Sequence, residues 1–351
     1  IKGKIGIENK NGFSGTITVK TFENKKTIDG DIYMGIWGGN GGTISIENFN
    51  NEGTISGVSR NEKGVHFEAQ NSAKVHIKTF TNSGSIVGHG LDGSDNSKPR
   101  QGVYFQGNVS IDTFHNEGFI TSEKGQGVYF EGNVHIKTFE NKSGGTIESK
   151  NGNYAILLIG QNSNTPTLEN FNNEGFIKGD IGVGNGDSGT ITVKTFENKG
   201  TGTINGYIYM ATADKRTISI ENFTNTGTIT SDNKNYPAVY FEGNNLHIKT
   251  FENTGFISGS ADNMRHFKHQ NFNVSGGVSM SDGTIETFKN SGTIQGTGTK
   301  NNPAGVKLNF VTVNTFENTG FISGTIGVLT TQGTIDNFIN KGTIESTGQD
   351  G

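Results

Sequence analysis

Hydrophobic and polar residues alternate along this chain in short stretches that are arranged around one returning phrase, Thr/Asn-Phe-x-Asn. The phrase occurs twelve times, first as Thr21-Phe22-Glu23-Asn24 and last as Asn337-Phe338-Ile339-Asn340. An aliphatic residue stands three positions before each Phe, and successive Phe residues are 22 to 37 positions apart. A repeat of this size predicts stacked structural units rather than one globular core, with the variable lengths placed outside the packed part.

The spacing within each repeat predicts three short strands. Side chains on a strand alternate between its faces, so the Phe, the Asn two positions later, a Gly at the fourth position in most repeats and an Ile at the sixth or eighth share the interior side. The aliphatic residues three and five positions before the Phe have the opposite parity, which predicts a bend just before the Phe. A third extended piece follows the Ile, as in Gly102-Val103-Tyr104-Phe105. Three strands and their bends form one coil of a parallel β-helix, and the chain holds about twelve coils.

Stacking of the coils explains the constant residues. Equivalent side chains would lie about 4.8 Å apart, so the amide of each interior Asn can donate to one neighbouring coil and accept from the other. An interior Asn without such partners would cost a few kcal/mol. The repeated Phe gives one buried ring per coil beside this predicted Asn ladder.

Composition agrees with a narrow stacked core and limits the partners. The 351 residues are only 30% hydrophobic and include 54 glycines, which is thin for a conventional core. A net charge of −4 gives no reason to expect nucleic acid or an anionic membrane as a partner. The chain has no cysteine and no long apolar run, so we expect neither disulfides nor membrane insertion. A chain that crosses an outer membrane unfolded has a physical reason to avoid disulfides.

The chain contains an internal duplication. Ser14 to Lys25 is identical to Ser188 to Lys199, and this offset corresponds to six coils. The sequence also begins and ends within a repeat. We therefore expect residues 1–351 to be one β-helix fragment of a longer solenoid, truncated at both ends, with a duplication of roughly 14–187 and 188–351.

A charged residue two positions before the Phe alternates in sign over ten successive coils, beginning with Lys20, Glu47 and Lys78 and ending with Glu286. Stacked coils would give each of these charges neighbours of opposite sign, at a few tenths of a kcal/mol per pair. Because alternating signs cancel at a distance, we interpret the pattern as structural rather than as a ligand-binding stripe.

Aromatic residues on the outward side of the third strand are the first candidates for binding. They are Tyr33, His66, Tyr104, Tyr129, Tyr209 and Tyr240. A row of exposed rings is a common anchor for proteins or glycans. The competing interpretation, which the sequence favours, is that the rings only stack and stiffen the sheet. Phe119, Phe176, Phe256 and Phe321, five positions after the repeated Phe, also point outward by parity.

The two longest insertions are further candidates, because loops on a rigid scaffold often carry recognition. They span His89 to Gln101 and Ser260 to Gly277, and the second contains Arg265, His266, Lys268 and His269. Variable solvated loops without a function are at least as good an interpretation.

The sequence offers no complete catalytic or metal site. Gly186-Asp187-Ser188-Gly189 matches the phrase around the nucleophile of trypsin-like proteases, but the duplicate reads Gly12-Phe13-Ser14-Gly15, and no triad partners are evident. His266 and His269 lack a third zinc ligand, and Asp92 and Asp95 lack the closing carboxylate of a calcium loop. Acidic residues occur singly, so no paired-carboxylate site can be assigned. We predict no cofactor, no metal and no enzymatic activity.

The Phe-x-Asn-x-Gly-Thr/Phe-Ile unit resembles the repeats of Campylobacter-type autotransporter adhesin passengers and, more loosely, of vacuolating-toxin-like passengers. The resemblance covers essentially the whole chain, but its motif marks a scaffold rather than an activity. It implies a right-handed β-helix that is secreted through a C-terminal β-barrel and displayed on the bacterial outer membrane. It also implies attachment to host cells or self-association, which are virulence functions, and it transfers no catalytic residue.

The sequence therefore predicts an extracellular, outer-membrane-anchored adhesin for host cells or matrix, whose partner is a host cell-surface protein or glycan. One alternative is a self-association module through which bacteria aggregate. The other is a β-helical enzyme, either a glycan lyase or a serine protease, which would require a cleft of converging carboxylates or bases.

Overall fold

A computed structural model describes residues 1–10, 14–37, 41–57, 63–89, 100–152, 154–160, 166–185, 190–212, 217–261, 264–267, 270–273, 276–298 and 302–348. The chain divides into two compact units, Ile1–Asp187 and Ser188–Gly351. Each unit is a parallel β-helix in which the repeated Phe of every coil stacks on the next, and together the units hold about twelve coils. The predicted fold class is confirmed.

In the first unit each coil has three strands. The strands that end with the repeated Asn are β2 (Thr16–Asn24), β5 (Thr43–Asn51), β8 (Lys74–Asn82), β11 (Val109–Asn116), β14 (Val134–Asn141) and β17 (Thr167–Asn173). The second strands are β3 (Thr27–Asp29), β6 (Thr54–Gly57), β9 (Ser85–Gly88), β12 (Phe119–Ser122), β15 (Thr146–Ser149) and β18 (Phe176–Lys178). The third strands are β1 (Ile5–Lys10), β4 (Ile32–Trp37), β7 (Val65–Ala69), β10 (Val103–Gly107), β13 (Val128–Glu131), β16 (Tyr154–Gly160) and β19 (Asp180–Asn185).

In the second unit three coils merge their third strand with the next Phe strand. These merged strands are β25 (Val239–Asn253), β29 (Gly276–Asn290) and β31 (Ala304–Asn318). Separate Phe strands are β20 (Thr190–Asn198), β23 (Thr217–Asn225) and β34 (Thr334–Asn340), and separate third strands are β22 (Ile208–Thr212) and β33 (Ile326–Thr331). The second strands are β21 (Thr203–Asn205), β24 (Thr228–Ser231), β26 (Phe256–Gly259), β30 (Thr293–Gly296), β32 (Phe321–Gly324) and β35 (Thr343–Ser346). An antiparallel hairpin, β27 (Met264–Phe267) with β28 (Gln270–Asn273), lies within the longest insertion.

Within each unit, equivalent strands pair in parallel and in register. The second strands form one sheet, and the Phe strands and third strands belong to the other. In β5 and β8, for example, Phe49 pairs with Phe80 and Asn51 with Asn82. The repeats identified in the sequence are therefore vertical neighbours in the structure.

The predicted bend before the Phe exists, but it lies inside a single strand. Along β5, Ile44, Ile46 and Phe49 are buried, whereas Glu47 is exposed and Asn48 is half-buried. Because Glu47 and Asn48 both lie on the outer side, the buried positions change from even-numbered to odd-numbered residues here, and the strand continues. The prediction of separate short strands on either side of the bend is thus wrong at this point, because parallel pairing continues on both sides of it.

The interior contains stacked rings. In the first unit the centroids of Phe22, Phe49, Phe80, Phe114 and Phe139 follow one another at 4.6 to 4.8 Å with nearly parallel planes. A second column of Phe67, Phe105 and Phe130 meets the first edge to face. In the second unit Phe223, Phe251, Phe288 and Phe316 stack at 4.7 to 4.8 Å. Offset and edge-to-face contacts are the favoured geometries for such pairs.

The predicted Asn ladder is confirmed in both units. In the first, the Nδ2 of Asn24, Asn51, Asn82, Asn116 and Asn141 each donates to the Oδ1 of the next Asn at 2.7 to 2.8 Å. In the second, the same bonds run from Asn198 through Asn225, Asn253, Asn290 and Asn318 to Asn340 at 2.8 Å. Each Nδ2 also donates to a backbone carbonyl of its own turn, such as that of Gly53 for Asn51. The buried amides are therefore satisfied as buried polar groups must be.

The glycine that follows the interior Asn in all coils but the first, where Lys26 takes its place, is required by the close approach of successive turns. A Cβ on Gly118 would lie 2.0 Å from the carbonyl oxygen of Gly84, and one on Gly84 would lie 2.0 Å from that of Gly53. Where two residues are inserted, Gly145 and Gly202 take this place two positions before the interior Ile. A Cβ on Gly175 would lie 2.4 Å from the carbonyl oxygen of Gly145, and one on Gly227 would lie 2.2 Å from that of Gly202. The residue type follows from sterics rather than from backbone φ.

Candidate functional site

The aromatic residues on the outer side of the third strands form a stacked column in the first unit. Tyr33, His66, Tyr104 and Tyr129 occupy equivalent register positions on β4, β7, β10 and β13. His66 stacks on Tyr104 at 4.7 Å and Tyr104 on Tyr129 at 5.0 Å, while Tyr33 meets His66 edge to face at 5.2 Å. The stacking that the sequence favoured for this row is observed.

The expectation that these rings are exposed is wrong. Tyr104 is only 6% exposed, and Tyr33, His66 and Tyr129 are also buried. The Nζ of Lys63 lies 5.0 Å from the Tyr104 ring centroid, and that of Lys4 lies 4.5 Å from the Tyr33 centroid. Parity places a ring on the outer face, but it does not show which neighbouring side chains cover it. A binding role for these residues stays a prediction.

Carboxylates in the adjacent column hold the phenols. The Tyr33 hydroxyl donates to Glu68 Oε2 at 2.8 Å, and the Tyr104 hydroxyl donates to Glu131. Burial, reinforced by Glu68, raises the pKa of Tyr33 far above its ordinary range. Burial also lowers the pKa of Lys63. The Tyr33 phenol therefore stays protonated as a hydrogen-bond donor.

His66 is held neutral inside this column. Burial, together with the charges of Lys63 and Lys4, lowers its pKa well below the usual value, although a hydrogen bond with Gln106 works in the opposite direction. Its Nε2 is buried and has no hydrogen-bond partner. A buried imidazole with one unpaired nitrogen makes this column sensitive to acid.

In the second unit Tyr209 and Tyr240 stack at 5.5 Å, and Tyr236 packs against both. Tyr240 is buried and Tyr209 is half-buried, so the exposure expected of this pair is also not found. The same register position then carries Ser279 and Lys307. Burial lowers the pKa of Lys307 to about 8. The outer column therefore changes from aromatic to polar along this unit.

The insertion candidates are only partly placed. Arg265 and His266 lie on β27, where their backbones pair with Phe272 and Asn271 of β28. Lys268 and His269 lie outside the described residues, as do most of the insertion after His89 and the Gly186-Asp187-Ser188-Gly189 phrase. Binding by these segments stays a prediction.

One pair of the alternating corner charges is in contact between coils, and the carboxylates of this corner also contact histidines that the sequence analysis did not consider. Lys137 Nζ lies 3.6 Å from Asp112 Oδ1. A histidine four positions before one Phe also reaches the carboxylate two positions before the next: His76 to Asp112 at 3.7 Å, His135 to Glu169 at 3.3 Å and His247 to Glu286 at 3.5 Å. The fixed offset between these residues in the repeats was the signal available in the sequence.

His76 also lies 2.9 Å from the hydroxyl of Ser110 through its Nδ1. Ser, His and Asp are thus neighbours on one outer face, but the His76 to Asp112 distance of 3.7 Å is too long for the hydrogen bond that orients a catalytic imidazole. This group is a polar contact between coils. Among the residues that the structure describes, no three His, Asp or Glu side chains converge as a metal ion would require. Within the same residues, no helix is long and apolar enough to cross a membrane.

The sheet of second strands presents the outward Phe residues. Phe119 is 55% exposed, and Phe176, Phe256 and Phe321 are half-buried, so their predicted outward direction is confirmed. In the second unit the outward residues of β21, β24, β26, β30 and β32 carry no charge, whereas the last strand of this sheet, β35, carries Glu345; we name the surface of the five uncharged strands the neutral face. It consists of Thr203, Asn205, Thr228, Thr230, Phe256, Ser258, Thr293, Gln295, Phe321 and Ser323.

No protein-family model matches the chain, and no curated protein or solved structure matches it either. The geometry alone therefore defines what the chain is: a parallel β-helix with interior asparagine and phenylalanine ladders.

Proposed function

We propose that this chain is part of the passenger of a bacterial autotransporter, displayed outside the outer membrane, and that it acts as an adhesin for host cells or matrix. The observation that carries the proposal is that the repeated residues lie inside the fold and hold successive coils together. In both units the repeated Asn, Phe, Gly and Ile residues make the contacts between stacked coils, while the residues at outward positions differ from coil to coil. A regular interior with a variable exterior suits a display scaffold.

Two further features support this proposal. Each coil contacts mainly its neighbours, so the fold can grow coil by coil as a chain emerges from a membrane. The chain has no cysteine, so no disulfide can form before such a crossing. The resemblance of the repeat unit to autotransporter adhesin passengers agrees with both features.

Binding of the purified chain to cultured epithelial cells and to wells coated with matrix proteins tests the proposal. We expect saturable binding that excess unlabelled chain displaces, and no such binding by chain unfolded in urea and left denatured. Binding that is absent, or that never saturates on any of these surfaces, would contradict the adhesin role.

Self-association is the second candidate, and the exposed Phe119 favours it because a large exposed ring on a flat sheet face can pack against another copy. Sedimentation of the chain over a wide concentration range distinguishes the two. A monomer at the highest concentration excludes self-association, whereas a dimer that Phe119→Thr abolishes supports it.

A further inference from the structure

The neutral face covers five successive strands without a charged outward residue, and it ends at β35, where Glu345 pairs with Ser323. Charged residues make up 18% of the chain, yet none occurs at the outward positions of these five strands. The corresponding sheet of the first unit carries Asp29, Glu148 and Lys178 at such positions, and Lys178 Nζ lies 2.6 Å from Glu148 Oε1. A surface without charge does not attract an ionic polymer, and a neutral polymer that binds it does not pay the cost of desolvating a charge.

Two aromatic rings stand on the neutral face at a defined spacing. Phe256 pairs with Thr293, and Thr293 pairs with Phe321, so the two Phe residues are separated by two strand spacings. That distance is about 10 Å, close to the length of two sugar rings joined in an extended chain. Both Phe residues belong to an identical heptapeptide, Asn-Thr-Gly-Phe-Ile-Ser-Gly, which begins at Asn253 and again at Asn318.

A row of small polar groups runs beside the rings. Thr230, Ser258 and Gln295 occupy adjacent register positions two residues beyond the Phe and Thr column. All three are partly exposed. Hydroxyl and amide groups both donate and accept hydrogen bonds, as sugar hydroxyls do. An aromatic row therefore lies directly beside a row of uncharged hydrogen-bonding groups. A ligand with an apolar face and polar edges can contact both rows at once.

We infer that the neutral face binds an extended, neutral, β-linked polysaccharide, with alternate sugar rings stacked on Phe256 and Phe321 and sugar hydroxyls bonded to Ser258 and Gln295. A flat sheet fits a flat chain, and the row of strands offers repeated contacts along it. The inference deepens the proposed adhesin function, because it names a class of ligand and the face that binds it. It rests on that function in one respect, namely that the outer surface of the chain is a binding surface.

A pull-down of the whole chain with insoluble cellulose and chitin tests the inference, with amylose and heparin resin as contrasting probes. We expect binding to at least one of the two β-linked polymers, weaker binding to amylose and none to heparin. Binding should persist at about 1 M NaCl, where charge interactions are screened beyond about 3 Å.

Variants distinguish this face from the rest of the surface. Phe256→Thr and Phe321→Thr introduce the residue that neighbouring strands carry at this position, so the fold should be kept, as an unchanged melting temperature would show. Each should weaken binding about tenfold, and the double variant should abolish it. Phe119→Thr, which removes an exposed ring from the other unit, should change binding less than about twofold.

The inference is overturned if neither β-linked polymer is bound, if salt releases the chain, if the folded double variant binds like the wild type, or if Phe119→Thr causes an equal loss. These results are separable from those on cells. Polysaccharide binding without cell or matrix attachment would refute the adhesin proposal alone, whereas cell attachment that survives loss of polysaccharide binding would leave that proposal intact.

Discussion

At the residue scale, the interior Asn is the most constrained position in each coil. Asn51 accepts from Asn24 Nδ2 at 2.8 Å and donates to Asn82 Oδ1 at 2.7 Å, and it is almost fully buried. Removal of its amide leaves a buried donor on one side and a buried acceptor on the other. The ladder therefore distributes the effect of one substitution over three coils.

We expect Asn51→Ala to lower the free energy of unfolding by about 2 to 4 kcal/mol, because two buried polar groups lose a partner. The preceding residue provides a matched control: Asn50 lies on the outer side of the same strand, and Asn50→Ala should change stability by less than about 0.5 kcal/mol. Urea unfolding followed by circular dichroism measures both. Equal effects of the two substitutions would mean that the ladder does not stabilise the fold.

The sequence was sufficient to predict such interior residues. Phe and Asn recur two positions apart on one strand, so strand parity places both inside; the Ile recurs at an even offset but lies on the next strand, beyond a turn that parity alone did not predict. The same parity placed Tyr104 outside, correctly, but could not predict its burial. The Tyr104 ring is covered by Lys63, which belongs to an insertion of variable length that does not follow the repeat pattern.

At the element scale, the outer column of β4, β7, β10 and β13 should respond to acid. His66 has a lowered pKa in the fold, so below its ordinary pKa the unfolded chain binds a proton that the folded chain does not. Stability is therefore lost as the pH falls through the ordinary pKa of histidine and is retained above it.

His66→Tyr should remove this sensitivity while keeping the stack, since Tyr33 and Tyr104 occupy the neighbouring register positions. At pH 5 we expect the variant to gain roughly 1 to 2 kcal/mol over the wild type relative to their difference at pH 7.5. Thermal melts at the two pH values measure this gain. His76→Tyr, on the half-buried outer face of β8, is the control. A constant difference between wild type and His66→Tyr across this range would contradict the buried neutral state.

The strands themselves were predictable, but not all of their boundaries were. The parity reversal in β5 is visible in the sequence, where it predicts a bend but does not show that the strand continues through it. Pairing with β2 and β8 resumes beyond the bend, which keeps the strand intact. The merged strands β25, β29 and β31 arise in the same way, where a third strand runs directly into the next Phe strand.

At the scale of the whole molecule, one rule accounts for both units: equivalent residues of successive repeats are neighbours across a parallel strand pair. The variable spacing between repeats obscures this register, because the ladder partners Thr54 and Ser85 are 31 positions apart while Phe119 and Thr146 are 27 apart. The neutral face could have been found by aligning the repeats on the interior Ile and comparing the outward positions. The spacing of its rings required the register.

Because the chain has no cysteine, engineered disulfides can measure this register directly. Thr54 and Ser85 are outward partners on β6 and β9, so their Cα atoms should be about 4.8 Å apart, within the range that a disulfide spans. Thr54 and Val87 lie two residues out of register, at roughly 8 Å, which is beyond that range.

The most direct test of the account compares Thr54→Cys/Ser85→Cys with Thr54→Cys/Val87→Cys after mild oxidation, by mass spectrometry of unreduced digests. Stacked coils predict an intramolecular disulfide in the first pair and little or none in the second. Equal crosslinking of both pairs, or none in the first, would contradict the stacking of equivalent residues on which the fold and both proposals depend.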